Sequence, residues 1–294
     1  MQGRYTELIA RVVAWCQAEA NLQGAILIGS QARPEHGADA WSDLDLMLLA
    51  DDPDALLERS DWLARFGRPA CDFTEVTPLP WLTWNWCAKR VLYDDGRDVD
   101  FSLLPYDHLS EVLDVNAEIM VKGYRVLYDA RPGRLEAESA RHVAAYRAAK
   151  PPPAPTEQAF RNDLHELLFH VAWAAKKARR GALWVAMRCV NRHMGGLLLR
   201  LIEAHNALVS RRGGVLLYDG RFLEERTDPA ILAGLGGCFA RYDAQDVLAA
   251  AGNQLELAHR IASEVCAAAG WAAEEEAFAA VRRIYAEIAA HPSA

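Results

Sequence analysis

The chain has no CxxC pair and no His-Cys grouping at zinc-site spacing; its six cysteines, Cys16, Cys71, Cys87, Cys189, Cys238 and Cys266, are scattered. They read as reduced thiols of an intracellular protein, which excludes a disulfide scaffold and a zinc ribbon. Long apolar runs are also missing: none approaches the roughly 20 residues of a membrane span. The amino terminus, MQGRYTELIARVVAWCQAEA, carries Glu7, Arg11 and Glu19 in an amphipathic helix pattern in place of a continuous signal-peptide core. The expected location is the cytoplasm, with no membrane partner. Basic charge is short as well: 32 Lys and Arg stand against 40 Asp and Glu, a net charge of -8. That balance argues against a broad cationic surface for gripping a phosphate backbone, so no nucleic-acid partner is expected. A cationic small substrate suits the charge better.

What is present is ample apolar material. At 294 residues and 52% hydrophobic, the chain can bury real cores and fits two medium domains. The first half alternates helix and strand patterns, and the second carries long Ala/Leu-rich stretches with few strand signals. The join falls at AAKPPPAPTEQ, where Pro151, Pro152, Pro153 and Pro155 cannot continue a helix. Before it, the pattern predicts a helix over 4–20, a buried strand from Gly24 to Ile28, a strand from Asp43 to Leu49 and a short helix from Asp61 to Phe66 stopped by Gly67 and Pro69. AKRVLY and RDVDFSLL flank Asp94-Asp95-Gly96 as a hairpin. After the join, helices are expected over 157–180, 182–209, 228–239, 244–268 and 273–289, with Gly181, Gly213-Gly214 and Gly270 as breaks.

The chemistry-bearing residues lie mostly in the first half. Gly29-Ser30 follows the buried strand, and twelve residues lie between Ser30 and Asp43, which opens the next strand as Asp43-Leu44-Asp45. Side chains alternate along a strand, so Asp43 and Asp45 point the same way while Leu44, Leu46 and Leu48 go to core positions. Two carboxylates so close repel unless a cation sits between them, and Mg²⁺ is the usual hard cation shared by carboxylates and substrate phosphates. On RDVDFSLL, Val99, Phe101 and Leu103 form an apolar face and leave Asp98, Asp100 and Ser102 opposite; Asp100, in mid-strand, is the better third ligand. Such a set serves phosphoryl transfer, where positioning and charge neutralisation by two metal ions carry most of the barrier reduction. Gly29 would let backbone approach a triphosphate, and the Ser30 hydroxyl would bind phosphate oxygens.

With GSQARPEHGADAWSDLDLMLLADD read this way, the chain resembles the nucleotidyltransferase superfamily, whose signature is Gly-Ser, then Asp-x-Asp, then a later Asp on a strand. More closely it resembles the aminoglycoside 6-adenylyltransferase (streptomycin adenylyltransferase) family. The likeness continues through DWLARFGRP at 61–69, RVLYDDGRDVDFSLLP at 90–105, GYRVLYD at 123–129 and HELLFHVAWAAKKARRGALW at 165–184. It implies an α/β (α+β) nucleotidyltransferase domain with a mixed sheet, residues 1–147, followed by an all-α helical-bundle domain for substrate binding, residues 156–294, with ATP and an aminoglycoside meeting in the cleft between them. Two Mg²⁺ ions on Asp43, Asp45 and Asp100, phosphate binding by Ser30, and transfer of AMP to the streptomycin 6-hydroxyl, a resistance reaction, are implied with it. Glu166 falls at the family's acidic position and Lys176 at its lysine ten residues on. Gln31 and Arg33 depart from the family's Gly-Ser-Arg-Ala-Asn, so an arginine contact to phosphate passes to Arg33; Leu167 and Leu168 stand where large aromatics are common. A monomer is expected. Other small hydroxyl acceptors such as a lincosamide, or a nucleotide-binding or toxin-antitoxin partner without turnover, are the alternatives.

On the helix over 157–180, Asn162, Glu166, His170 and Trp173 share a face, which makes Glu166 the candidate base and partner for acceptor ammonium groups. His170 reads as a structural histidine. Lys176 is a candidate triphosphate contact, with Lys177 behind it, although cations near a helix carboxyl end need no function. Trp81, Trp84 and Trp86 read as core packing more than as stacking surface, and Asp72 and Glu75 rank below Glu166 as acceptor-facing carboxylates. The direction of Trp41 cannot be read from its neighbours.

Overall fold

The computed structural model describes residues 5–149, 155–210 and 220–291. The chain divides into two compact units, residues 1–150 and 151–294. Pro151, Pro152 and Pro153 of the expected join, and the expected break at Gly213-Gly214, lie outside the described residues. No helix among the described residues is long and apolar enough to cross a membrane.

The first unit is built on a six-stranded mixed sheet, β1 (Leu22–Ile28), β2 (Leu44–Ala50), β3 (Pro69–Thr77), β4 (Trp86–Tyr93), β5 (Asp98–Pro105) and β6 (Arg125–Asp129), in the order β3-β4-β5-β2-β1-β6. Only β2 and β5 run parallel; the other pairs are antiparallel. The central strands LQGAILI, LDLMLLA and DVDFSLLP read as near-continuous apolar runs because both faces of the sheet are covered. On one face, α1 (Thr6–Ala18) lays Leu8, Val12, Trp15 and Cys16 on Leu27, Leu46, Leu48 and Phe101, with Trp62 and Phe66 filling the same core. Leu44, Leu46 and Leu48 all belong to this layer. On the other face, α3 (Leu109–Met120) and α4 (Arg134–Ala148) cover Ile26, Ile28, Met47, Leu49 and Leu104. Trp84 and Trp86 pack against this second core, and the Trp84 indole donates to Glu111 at 2.8 Å, whereas Trp81 is exposed.

Several elements differ from the sequence expectation. β2 begins at Leu44, so Asp43 precedes the strand. The segment Asp61–Arg65 is a single 3-10 stretch, too short before Gly67 for an α-helix. The short α2 (Asp54–Leu57), α3, α4, β3 and β6 were not anticipated as elements.

The second unit is helical. Its long helices are α5 (Glu157–Arg179), α7 (Gly195–Leu208), α10 (Ala244–Ala269) and α11 (Glu275–Ala290). Their apolar sides share one core that includes Leu164, Leu167, Leu168, Val171, Leu198, Leu201, Leu255 and Ile261. Leu167 and Leu168, noted above as departures from the family pattern, are interior packing residues. Thr156 caps α5 by accepting from the Ala159 amide at 3.2 Å, and Asp243 caps α10 by accepting from the Asp246 amide at 2.9 Å. Gly270 ends α10 at φ 72°. The stretch 182–209, expected as one helix, contains a π-helical turn over Cys189–Met194 between α6 (Leu183–Arg188) and α7. After the short α8 (Leu223–Arg226), the helix expected over 228–239 stops early, as α9 (Pro229–Leu235).

Candidate active site

Strand register sets the geometry. Ile28 of β1 pairs with Asp45 of β2, Asp45 with Asp100 of β5, Asp100 with Arg90 of β4, and Arg90 with Phe73 of β3. Directly paired residues share a face, so Asp45, Asp100 and Arg90 form a polar row beside one another. Asp45 has the parity of Met47 and Leu49, which the α3 and α4 side buries further along β2, so the row continues that face beyond its apolar part. Asp43 stands just before β2, half-buried, and its carbonyl accepts from the Gln31 amide at 3.3 Å. Gln31, one departure from the family pattern, thereby ties the loop into Asp43 to the turn that follows β1. Further out on this loop Asp39 accepts from the Trp41 amide at 2.8 Å and from the Ser42 hydroxyl at 2.9 Å, while the Trp41 ring is exposed.

That turn, a 3-10 stretch over Gly29–Gln31, is possible because Gly29 takes φ 70° and carries no side chain. A Cβ there would lie 1.9 Å from Asp45 Oδ2. The glycine therefore makes room for the Asp45 carboxylate. Gly123, at φ 147°, has a similar function on the far side, since a Cβ would lie 2.4 Å from the Ala32 carbonyl oxygen. The Gly123-Tyr124-Arg125 segment thus packs directly against the Gly29–Arg33 loop.

Two groups on this loop are left without partners. The Ser30 hydroxyl and the Arg33 Nε are buried atoms with no hydrogen-bond partner among the described residues. Such groups cost about 1–3 kcal/mol each unless satisfied, and both are donors that match phosphate oxygens. The residues present therefore fit a bound triphosphate, and the carboxylates beside them fit hard divalent ions.

Arg90 is the site residue that sequence reasoning missed. Its guanidinium lies 3.3 Å from Asp100 Oδ2 and 2.7 Å from Glu75 Oε2. The Glu75 contact is close but not aligned as a hydrogen bond, since neither Arg90 Nε nor Glu75 Oε2 has a hydrogen-bond partner, so it is an ion pair by proximity. Burial pushes the Asp100 carboxyl up to about 6; Arg90 opposes that rise, and the charges of Asp43, Glu75 and Asp98 add to it. The oxygens of Asp43, Asp45 and Asp100 do not all lie within 4.8 Å of one another, a spacing that among the described residues only Glu166, His170 and His193 achieve. Like charges favour the wider separation.

The other two candidates belong to the second unit. Glu166, on α5, is half-buried, with Oε1 3.1 Å from His193 Nε2. His170 hydrogen-bonds through Nδ1 to the Glu166 backbone carbonyl at 2.8 Å and meets Trp173 edge to face, while Asn162 is exposed. Lys176 is exposed, without a side-chain partner among the described residues; Lys177 lies over the Trp173 ring at 5.0 Å.

A family model for streptomycin adenylyltransferase matches residues 3–287. Among solved structures, an aminoglycoside 6-adenyltransferase from Bacillus subtilis is similar at 15% identity over 97% of this chain and 98% of that one, with a TM-score of 0.45. A nucleotidyltransferase-like protein from Exiguobacterium sibiricum 255-15 is 13% identical over 92% of this chain and 78% of its own, at a TM-score of 0.34. Spectinomycin adenyltransferase AAD(9) from Enterococcus faecialis, solved with ATP and spectinomycin, is 13% identical over 96% and 98%, at 0.28. No curated protein matches the chain. The assignment rests on the sequence model, which spans nearly the whole chain: it belongs to the streptomycin adenylyltransferase family and is a nucleotidyltransferase.

Proposed function

We propose that the protein transfers AMP from ATP to a hydroxyl of an aminoglycoside, with the streptomycin 6-hydroxyl as the first acceptor to test, in a cytoplasmic resistance reaction. Residues 1–147 are the catalytic domain in this reading and residues 156–294 the substrate-binding domain. The observation that carries it is the pair of buried, unpartnered donors, Ser30 Oγ and Arg33 Nε, on a turn held against Asp45. The triphosphate oxygens would satisfy both.

Asp43 and Asp45 would hold both Mg²⁺ ions and Asp100 one of them. Bound there, the ions supply neutralisation of the triphosphate and of the charge that develops at the α-phosphorus. The acceptor hydroxyl attacks the α-phosphorus in line, forming the new P–O bond as pyrophosphate leaves. Arg90 holds Asp100 ionised against its burial, which keeps that carboxylate available as a ligand near neutral pH. Glu166 is the proposed acceptor of the hydroxyl proton and partner for ammonium groups, and Lys176 the proposed further contact to the triphosphate.

The test is mass spectrometry of streptomycin incubated with protein, ATP and Mg²⁺, beside the Asp45→Asn variant. A product heavier by one AMP, absent with the variant, is expected. Full turnover by Asp45→Asn would remove the metal assignment; an unchanged streptomycin mass, with a product on another aminoglycoside, would move the acceptor.

A further inference from the structure

The second unit contains a ligand set of a different chemistry from the carboxylates of the first. Glu166, His170 and His193 each present one ligand atom, and all three atoms lie within 4.8 Å of one another. The two imidazole rings are 4.2 Å apart, centroid to centroid. The tautomer of His170 follows from its hydrogen bond: Nδ1–H donates to the Glu166 backbone carbonyl at 2.8 Å, so Nε2 carries the free lone pair. Backbone anchoring of one ring nitrogen is how metal-binding histidines are oriented. His193 Nε2 already meets Glu166 Oε1 at 3.1 Å.

The third member of this set is placed by the π-helical turn Cys189–Met194. A π turn adds a residue to the helical repeat, and such turns recur at functional sites. This one is held by two side-chain amides, of which Gln254 is fully buried. Gln254 Nε2 donates to the Val190 carbonyl at 3.0 Å and to the Cys238 carbonyl at 2.6 Å. Asn191 exchanges two hydrogen bonds with the Ala240 backbone, at 2.8 and 2.7 Å. Arg200, the nearby cation that would compete for Glu166, is engaged by both oxygens of Asp163 at 3.0 Å. Glu166 is thereby left to the histidines, and the exposed side of His193 leaves a path for an ion and for a water as fourth ligand.

We propose that Glu166, His170 and His193 form a binding site for a divalent transition-metal ion of the zinc class. Two imidazoles and one carboxylate select Zn²⁺ or Co²⁺ over Mg²⁺, which prefers all-oxygen octahedral surroundings. The three ligand atoms, within 4.8 Å of one another, have to draw closer to share one ion, and the exposed His193 side chain is free of tight packing. If Glu166 is the acceptor-facing carboxylate, occupancy removes it from that role, and zinc inhibits turnover; that consequence alone rests on the proposed function.

The test is titration of chelator-treated protein with Co²⁺, followed by visible d–d absorption. Expected are bands that saturate at one ion, disappear on addition of Zn²⁺ and survive millimolar Mg²⁺. The His193→Ala and His170→Gln variants should each weaken binding by about 10-fold or more, while Asp45→Asn leaves the bands unchanged. Far-UV circular dichroism checks that the variants are folded, and His193→Ala, an exposed position, guards against a folding failure at His170. Absent bands, or bands that persist in both histidine variants, would overturn the site. Turnover at saturating Mg²⁺-ATP is then measured with Zn²⁺ at the concentration that fills the site. Inhibition of the wild type that His193→Ala escapes supports the site and the Glu166 role together; occupancy with undiminished turnover supports the site and removes that role.

Discussion

Replacement of Asp100 by Asn separates the stability of the first unit from its activity. An unfolded chain ionises this carboxyl at about 3.8, and the folded protein does so at about 6. The folded state therefore holds a proton, between those values, that the unfolded state has released. The contribution of Asp100 to stability is fully present below 3.8 and is lost as pH rises through about 6; above that the fold carries a buried carboxylate at a cost. At ~1.4 kcal/mol for each pKa unit the cost is at most about 3 kcal/mol. Because 21% of the side chain reaches solvent, screening reduces that to about 1–2 kcal/mol. Asn has the same shape and no charge. Asp100→Asn should thus raise the melting temperature of metal-free protein by roughly 2–8 °C at pH 8, with little or no gain at pH 4. It should also lower adenylyl transfer by at least about 100-fold, by loss of a metal ligand. Thermal melts followed by tryptophan fluorescence in chelator at both pH values, with turnover measured in Mg²⁺, check this. A variant no more stable than the wild type at pH 8 would refute the burial argument, and one with wild-type turnover would remove Asp100 from the site.

Gly29→Ala should abolish measurable turnover and cost about 1–3 kcal/mol, because its Cβ would meet Asp45 Oδ2 at 1.9 Å and φ is 70°; melting and activity assays decide it, and a fully active variant would show that the turn can shift. Arg90→Met removes the charge that opposes the rise of Asp100, so the acid limb of the pH–rate profile should move to higher pH; an unmoved limb means Arg90 does not tune that carboxylate. Leu167→Trp, which forces a much larger ring into a fully buried position, should destabilise the second unit by about 1–3 kcal/mol in chemical denaturation. Asp243→Ala should cost about 0.5–2 kcal/mol in the same assay through loss of the α10 cap.

The parts of the fold legible in the sequence were those with strong periodic or compositional signals. β1, β2 and β5 announced themselves as apolar runs, and the alternation in RDVDFSLL put Asp100 on the face opposite Val99, Phe101 and Leu103, where it lies. The unread elements have physical reasons. α4 buries little beyond Leu135, Ser139, His142 and Val143 and is polar over most of its surface. β3 is an edge strand exposed along most of its length, so no face selects an alternating pattern. Arg90 was within reach: counting outward from the Asp94–Gly96 turn pairs Leu92 with Asp98 and then Arg90 with Asp100. Glu166 and His170 were visible as one helix face, but His193 was not, because it comes from another helix whose π turn breaks the spacing that a pattern search uses.

The row Glu75, Arg90, Asp100, Asp45 shows how the first unit tolerates its own chemistry. Three carboxylates at one end of a sheet repel, and one of them is buried enough to resist ionising. A basic residue within the metal-binding face would relieve the repulsion but compete with the ions for the same oxygens. Arg90 is instead one strand further out, against Asp100, and its other side is taken by Glu75. The guanidinium is therefore shared between two carboxylates, which limits its hold on Asp100. The remaining cost of the site falls on the packing beneath it. Leu44, Leu46 and Phe101, on the opposite face of the same strand segments, are essentially without solvent exposure. Asp45 and Asp100 are flanked in sequence by these residues, so the alternation that exposes the carboxylates also anchors them in the core.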